Sequence, residues 1–303
     1  MSGDYQLVQL ANGAQTLFSA SYGEKMHPGF GPQAEAELLY VRQLKICERL
    51  KNHAGEFVIW DIGLGAAANA IAALRATREI SGELRLVSFD NTSEPLEFAL
   101  KNSAALGYVA GYEKPVETLR REHHAEFQNG KLKVNWEFHL GDFPALLANS
   151  KLKTQNSKLP PPPHAIFYDA FSPAKNPAMW TLPVFENLFR ALDSAKPCVL
   201  TTYSRSTLIR ATLLLAGFYV GVGHATGMKE ETTIAANTVD LIAAPLNTRW
   251  LERAARSDSA EPLRAPVYSR APLAPATAEK LRRHPQFDGR SQNNHVDGLR
   301  KNP

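Results

Sequence analysis

The chain has 303 residues, 44% of them hydrophobic, enough for one large α/β domain with appendages or for two small domains. Cys47 and Cys198 stand apart without CxxC or Cys/His spacing, which argues against a zinc site and predicts reduced, structural thiols in a cytoplasmic protein; no apolar stretch approaches ~18 residues, so no membrane span is expected, and the start lacks the basic and apolar regions of a signal peptide. The net charge is +4, but Lys and Arg number 11 against 6 Asp and Glu from Arg249 onward, leaving 23 against 24 before it, so the basic excess lies at the C-terminal end.

In chain order, Tyr5–Leu10 alternates in polarity, Asn12-Gly13 follows, and Ala14–Ser19 returns, which predicts a β-hairpin. Ser21–Pro32 is a loop dense in polar and turn residues, suited to act as a lid over a site. Apolar residues at Leu38, Val41, Leu44, Ile46 and Leu50 predict an amphipathic helix from Gln33 to about Lys51. Phe57–Ile62 is a short apolar run of the kind buried in a parallel sheet. It ends around Asp61 and breaks at Gly63 and Gly65, and an Ala-rich helix, Ala66–Ala76, follows. Leu84–Asp90 is a second strand, and Ser93–Ala105 a helix. His123-His124 reads as part of a charged, exposed helix. Leu132–Leu140 alternates and ends at Gly141-Asp142. Lys151–Pro163, with four consecutive prolines, is an insertion loop. The strand His164–Asp169, the loop to Trp180, the helix Pro183–Leu192, the strand Cys198–Tyr203 and the helix Ser206–Leu215, stopped at Gly217, resume the alternation. Phe218–Val222 and Asp240–Ala243 are expected to form a final antiparallel pair. Residues 1–31 thus read as hairpin and lid, 32–248 as one domain, and 249–303 as a basic, flexible tail with one short helix near Glu279. Such a tail can gather on a polyanion such as RNA by counterion release.

The parallel strands place several turns on one sheet edge, where ligands of open α/β sheets bind. Gly63 and Gly65 can admit a ligand close to the backbone, with Asp61 at the end of that strand. Asp90, 25 positions beyond Gly65, lies where such folds hold ribose hydroxyls, and a carboxylate can accept from both. Asp142 can accept from an adenine amino group. No Walker lysine follows the glycines, which argues against a triphosphate. A ligand with a nucleoside, an amino acid and no pyrophosphate is S-adenosyl-L-methionine.

Tyr168-Asp169-Ala170-Phe171-Ser172-Pro173-Ala174-Lys175-Asn176-Pro177-Ala178-Met179-Trp180-Thr181 closely resembles the D-G/A-F-x-P-x-K-N-P-x-M-W segment of the MnmC-type tRNA methyltransferases. The resemblance extends to Ser88-Phe89-Asp90, Gly141-Asp142 and Ser21-Tyr22-Gly23-Glu24, and so spans roughly residues 14–243. It implies an α/β, Rossmann-like class I methyltransferase with a mostly parallel sheet, an antiparallel C-terminal edge pair and a small N-terminal β-hairpin. The implied reaction is the final methylation of 5-aminomethyl-2-thiouridine at the tRNA wobble position. An FAD-dependent oxidase domain follows in the large fused members; this sequence has no second glycine fingerprint for one, so a separate oxidase is the expected partner. Two positions depart from the family pattern: the third glycine of the cofactor turn is Ala67, and Glu230, after Lys229, stands where a second base is usual. Asn69 keeps its place in the cofactor loop.

On this resemblance Asp169 orients the amine and accepts its proton, and Phe171 lies against the base or the methyl. Tyr22 and Glu24 close over the cofactor. Pro173, Lys175, Asn176, Trp180 and Lys229 are expected on the substrate side, with loop bracing an equal reading for Lys175, Asn176 and Trp180 and with Pro173 and Pro177 stiffening the loop, and no metal is expected. His27 reads as a solvated loop residue, with catalytic involvement as the lesser alternative. The lid pattern and the fold are also similar to spermidine-synthase-like proteins, which leaves an amine or polyamine transferase as an alternative. An RNA-binding protein with a degenerate cofactor pocket is a second alternative.

Overall fold

The computed structural model describes residues 3–149, 159–226 and 230–288. The N-terminal hairpin forms with β1 (Tyr5–Gln9) antiparallel to β2 (Gln15–Ser19), and the chain turns at Gly13, whose φ of 85° suits glycine. A two-residue strand, β3 (Glu24–Lys25), invisible in the polar loop pattern, adds to β2.

The single helix expected over Gln33–Lys51 is broken. Helix α1 (Pro32–Ala36) passes into a π-helical turn at Glu37–Arg42, Lys45 adopts a left-handed conformation with φ of 50°, and α2 (Ile46–Lys51) follows. Leu39, Tyr40 and Val41 are all buried. A regular helix advancing 3.6 residues per turn cannot aim three consecutive side chains at one core; the wider turn and the reset at Lys45 accommodate them.

Next come β4 (Glu56–Ile62), α3 (Ala68–Thr77), β5 (Gly82–Asp90), α4 (Glu94–Lys101), α5 (Ser103–Leu106) and α6 (Glu113–Glu122). The hairpin β6 (His124–Asn129) and β7 (Leu132–Leu140), α7 (Phe143–Asn149), β8 (Ala165–Tyr168), α8 (Leu182–Ala191), β9 (Val199–Thr202) and α9 (Thr207–Ala216) follow. The edge strands are β10 (Tyr219–Gly223) and β11 (Thr232–Ala236), and α10 (Thr248–Ala255) and α11 (Pro275–Arg282) end the described chain. The eight-stranded sheet has the order β10-β11-β9-β8-β4-β5-β7-β6. Its inner pairs β9–β8, β8–β4, β4–β5 and β5–β7 are parallel; β6 on one edge and β11 and β10 on the other are antiparallel. Apolar cores lie on both faces: one joins the hairpin and α1 to α6, the other joins α7 to α11. Among the described residues no helix is long and apolar enough to cross a membrane.

Three expectations need correction. His123 caps α6 in a left-handed conformation and His124 begins an edge strand, so the pair does not lie on a helix. The partner of β10 is β11, not Asp240–Ala243, which runs through a 3-10 turn at Val239–Leu241; all five residues of β11 are buried, whereas Asp240 is exposed. The tail is not flexible over 249–288. Trp250, Ala254, Leu263 and Leu281 are buried in the second core, and a strongly one-sided apolar pattern among charged residues suffices to dock α10.

Gln286 shows how the tail is fastened. Its carboxamide accepts from the Val220 N–H at 2.7 Å and donates to the carbonyls of Val220 and Leu246, both at 2.8 Å, standing in for a neighbouring strand beside β10. Replacing it by Leu leaves buried backbone groups without partners, and the expected cost is about 3 kcal/mol. Urea unfolding of Gln286→Leu should show a lower midpoint; an unchanged midpoint would make the clamp energetically idle.

Candidate functional site

The sheet places β5 on one side of β4 and β8 on the other, so the strand order reverses at β4 and opens a crevice at the carboxyl ends. The N–H groups of Gly63 and Leu64 both donate to the Phe89 carbonyl, at 2.9 and 3.1 Å. Gly63 has φ of 91°, and a Cβ there would lie 2.8 Å from the Asp169 carbonyl oxygen, so the close approach that demands glycine is to the chain's own backbone. Gly65 donates its N–H to Asp90 Oδ2 at 2.8 Å, while Asp90 Oδ1 accepts from the Asn91 N–H at 2.8 Å. Burial raises the Asp90 carboxyl above its ordinary range despite these donors. Ala67, in the place of the third glycine, adopts a left-handed φ of 62° and is fully buried at the start of α3. The turn is therefore built with a side chain in a conformation that costs ~1 kcal/mol.

Asp61 is not part of the cavity wall, contrary to the expectation of cofactor contact. It lies fully buried beneath the turn, accepting from Ser88 Oγ at 2.9 Å, and the Trp136 indole N–H donates to the same hydroxyl. Burial pushes its carboxyl up to about 7, against the pull of the Ser88 hydrogen bond and with the nearby Asp169 and Asp90 charges adding to the rise. The strand alternation that directs Asp61 inward could not be read from a run buried on both faces.

Asp169 follows β8 and its N–H donates to the Ile62 carbonyl, next to the glycine turn. Its Oδ2 accepts from Asn69 Nδ2 at 2.7 Å and lies 3.7 Å from His27 Nε2. Asn69 is buried and outside the cavity wall, so it positions Asp169 instead of touching a cofactor directly. The lid is latched onto the Asp169 loop at two points. Tyr22 stacks on Phe171 with ring centroids 4.1 Å apart and planes 17° from parallel, and Glu24 accepts from both the N–H and the hydroxyl of Ser172. Trp180, expected on the substrate side, is fully buried, and its indole N–H donates to the Phe171 carbonyl at 2.7 Å, bracing the loop from behind. Pro173 and Lys175 also lie outside the wall, Lys175 on the exposed outer turn of the loop. Lys229 lies outside the described residues.

A cavity of about 790 Å³ opens between these parts. Of the residues expected at the site, Tyr22, Glu24, Gly63, Gly65, Asp90, Asp142, Asp169, Phe171 and Asn176 line it. His27, for which catalysis was the lesser reading, lines it as well, together with Glu35 and Arg205, which were not expected there. The turn-rich composition of Ser21–Pro32 pointed to a lid, but nothing local shows that His27 folds inward. The basic position expected near Glu230 is answered across the fold: Glu230 Oε2 lies 3.9 Å from Arg205 Nη1. Five carboxylates, Glu24, Glu35, Asp90, Asp142 and Asp169, face this volume against Lys25 and Arg205. Such walls suit a ligand carrying positive charge, as the sulfonium and ammonium of S-adenosyl-L-methionine do, and disfavour a phosphorylated nucleotide.

Residues 112–238 match a family model described as S-adenosyl-L-methionine-dependent methyltransferase. A bifunctional protein MnmC of Aeromonas hydrophila, named for tRNA 5-methylaminomethyl-2-thiouridine biosynthesis, is 26% identical over 240 residues, 73% of this chain and 34% of that protein. Over that stretch the chain is similar in sequence to MnmC. MnmC of Burkholderia mallei is 27% identical over 217 residues, 67% of this chain and 31% of its own length. The chain thus spans about a third of the length of these curated relatives. In fold it is similar to MnmC2 from Aquifex aeolicus, with a TM-score of 0.63, 24% identity and coverage of 93% of this chain and 85% of that one. It is also similar to a spermidine synthase in complex with the transition state analogue AdoDATO, with a TM-score of 0.53, 13% identity and coverage of 78% and 71%. These matches support an S-adenosyl-L-methionine-dependent methyltransferase, with S-adenosyl-L-methionine as its cofactor.

The raised Asp61 pKa makes a signed prediction. A carboxyl at about 7 in the folded chain and near 3.8 when unfolded favours folding below pH ~4, and that contribution is lost as pH rises through about 7. Melting temperatures of Asp61→Asn relative to the parent should therefore climb between pH 4 and 7 and level off above. A flat difference would show that Asp61 titrates normally.

Proposed function

We propose that this protein transfers the methyl group of S-adenosyl-L-methionine to the aminomethyl nitrogen of a modified wobble uridine, 5-aminomethyl-2-thiouridine, in cytoplasmic tRNA, with a separate FAD-dependent oxidase acting upstream. The observation that carries this reading is the Asp169 carboxylate: it lies on the cavity wall beside the glycine turn, held from behind by Asn69, in the segment that resembles the MnmC type. The Aeromonas and Burkholderia relatives are named for biosynthesis of this nucleoside family, which supports tRNA as the substrate.

In this reading the glycine turn and Asp90 receive the amino acid and ribose of the cofactor, and Asp142 its adenine. Tyr22 and Glu24 complete the enclosure. The substrate amine must lose a proton before it can attack. Its lone pair then displaces the methyl carbon from sulfur in line, the C–S bonding pair returning to sulfur and neutralising the sulfonium. The chain's part is to align the two partners and hold the amine as an acceptor-bound, neutral group. Asp169 accepts the amine N–H, and the Phe171 ring, fixed by its stack on Tyr22, lies beside the cationic centre.

Asp169→Asn keeps the side-chain shape but exchanges an ionised acceptor for an amide. Methyl transfer to tRNA bearing the aminomethyl nucleoside should fall by ~10²-fold or more, while calorimetric affinity for S-adenosyl-L-methionine stays unchanged. An equal loss of cofactor affinity would move Asp169 into cofactor scaffolding. Nucleoside mass spectrometry of tRNA from cells lacking the protein should show accumulated 5-aminomethyl-2-thiouridine; unaltered tRNA together with methylation of polyamines would favour the amine-transferase alternative.

A further inference from the structure

His27 lies between two carboxylates. Its Nε2 is 3.7 Å from Asp169 Oδ2 and its Nδ1 is 3.8 Å from Glu35 Oε2. The imidazole is largely enclosed, its side chain 11% exposed, and its backbone is held at a left-handed φ of 50°, an uncommon conformation for a non-glycine residue. Glu35, in α1, is fixed in turn by the N–H groups of Gly29 and Phe30, which both donate to its Oε1. The lid therefore carries His27 to the back of Asp169, while the Tyr22–Phe171 stack and the Glu24–Ser172 contacts hold lid and loop together.

We propose that His27 is a positioning residue for Asp169 and, with Glu35 behind it, forms the route by which the proton of the substrate ammonium leaves the site. The inference rests on the function proposed above and deepens it. His27 and Asn69 both address Oδ2 of Asp169, which leaves Oδ1 to receive the amine. In the resting arrangement Nδ1–H faces Glu35 and the Nε2 lone pair faces Asp169. Burial raises the Glu35 carboxyl, against the lowering by the His27 charge and the Gly29 and Phe30 donors, which makes it a better acceptor for the Nδ1 proton. When the ammonium gives its proton to Asp169, the imidazole receives it at Nε2 and releases the Nδ1 proton towards Glu35 and the lid. The neutral amine then attacks the methyl group. No other oxidant, reductant or co-reactant is needed. The charged and titratable groups around this chain are Glu35 on α1, Asp169 after β8, the buried Tyr40 and Tyr203 hydroxyls, which both interact with Asp169, and Asp61 at the end of β4, whose charge bears on it, with Glu24, Lys25 and Arg205 on the same cavity wall.

A proton path and a merely packed lid predict different outcomes, so the test separates the two. In the full chain, His27→Ala should lower kcat for methyl transfer by ~10-fold to 10²-fold, leave KM for S-adenosyl-L-methionine and for tRNA unchanged, and shift the rising limb of the kcat–pH profile to higher pH. Added imidazole should restore part of kcat. Loss confined to KM, with an unshifted pH profile and no rescue, would overturn the proposal and reduce His27 to a lid residue. A second measurement needs no substrate: the imidazole titration of His27, followed by NMR, should move when Asp169 is changed to Asn and again in Glu35→Gln. An unmoved titration in both variants would overturn the coupling even with methyl transfer intact. A shifted titration in a protein that methylates no tRNA would keep the coupling and overturn the function instead.

Discussion

The close approach between Gly63 and the Asp169 backbone is the constraint on which the rest of the site depends. Two parallel strands, β4 and β8, end side by side where the strand order reverses, and the chain leaving each must pass the other. Only a residue without Cβ allows the Asp169 carbonyl to lie so near. Because of that contact, the glycine turn and the loop that carries Asp169 are packed as one unit. Asn69, projecting from the helix that the turn begins, closes the unit by donating to Asp169. In the proposed reaction, backbone packing would then decide the relative placement of methyl donor and acceptor, as an in-line transfer demands.

Electrostatics explains both the choice of ligand and the cost of the site. Carboxylates crowd the cavity and the layer beneath it, and burial raises Glu35, Asp61 and Asp90 above their ordinary range. Like charges at close quarters disfavour ionisation of all of them together, a cost that a cationic ligand relieves. A sulfonium and an amine fit that field, and a pyrophosphate would oppose it. The same field gives the proton of an incoming ammonium somewhere to go.

The folded tail changes how the edge of the sheet is understood. Strand β10 would present unpaired backbone groups, and exposed edges invite association with other strands. Residues 244–246 and Gln286 cover it, and α10 and α11 lie over the second core. The basic residues in 249–288 are thus displayed on docked helices and loops, not on a free polyelectrolyte, which fixes where positive charge lies relative to the cavity.

Much of this was legible in the residues themselves. The glycine turn, the acids at strand ends, the Asn12-Gly13 hairpin and the Asp169–Trp180 segment are local patterns whose meaning depends on a few neighbours, and the sheet places them at one edge. The helix break at Glu37–Lys45, the pairing of β10 with β11, the burial of Trp180 and Asp61, and the docking of the tail were not legible. Each is decided by which surface a segment meets after the chain has collapsed, and a run of apolar residues does not say which neighbour will cover it. His27 is the clearest case. Its sequence neighbourhood specifies a polar loop and nothing more, and only the tertiary contact of that loop with Asp169 and Glu35 brings the imidazole to the reaction centre, because the three residues belong to elements joined in space and far apart in the chain.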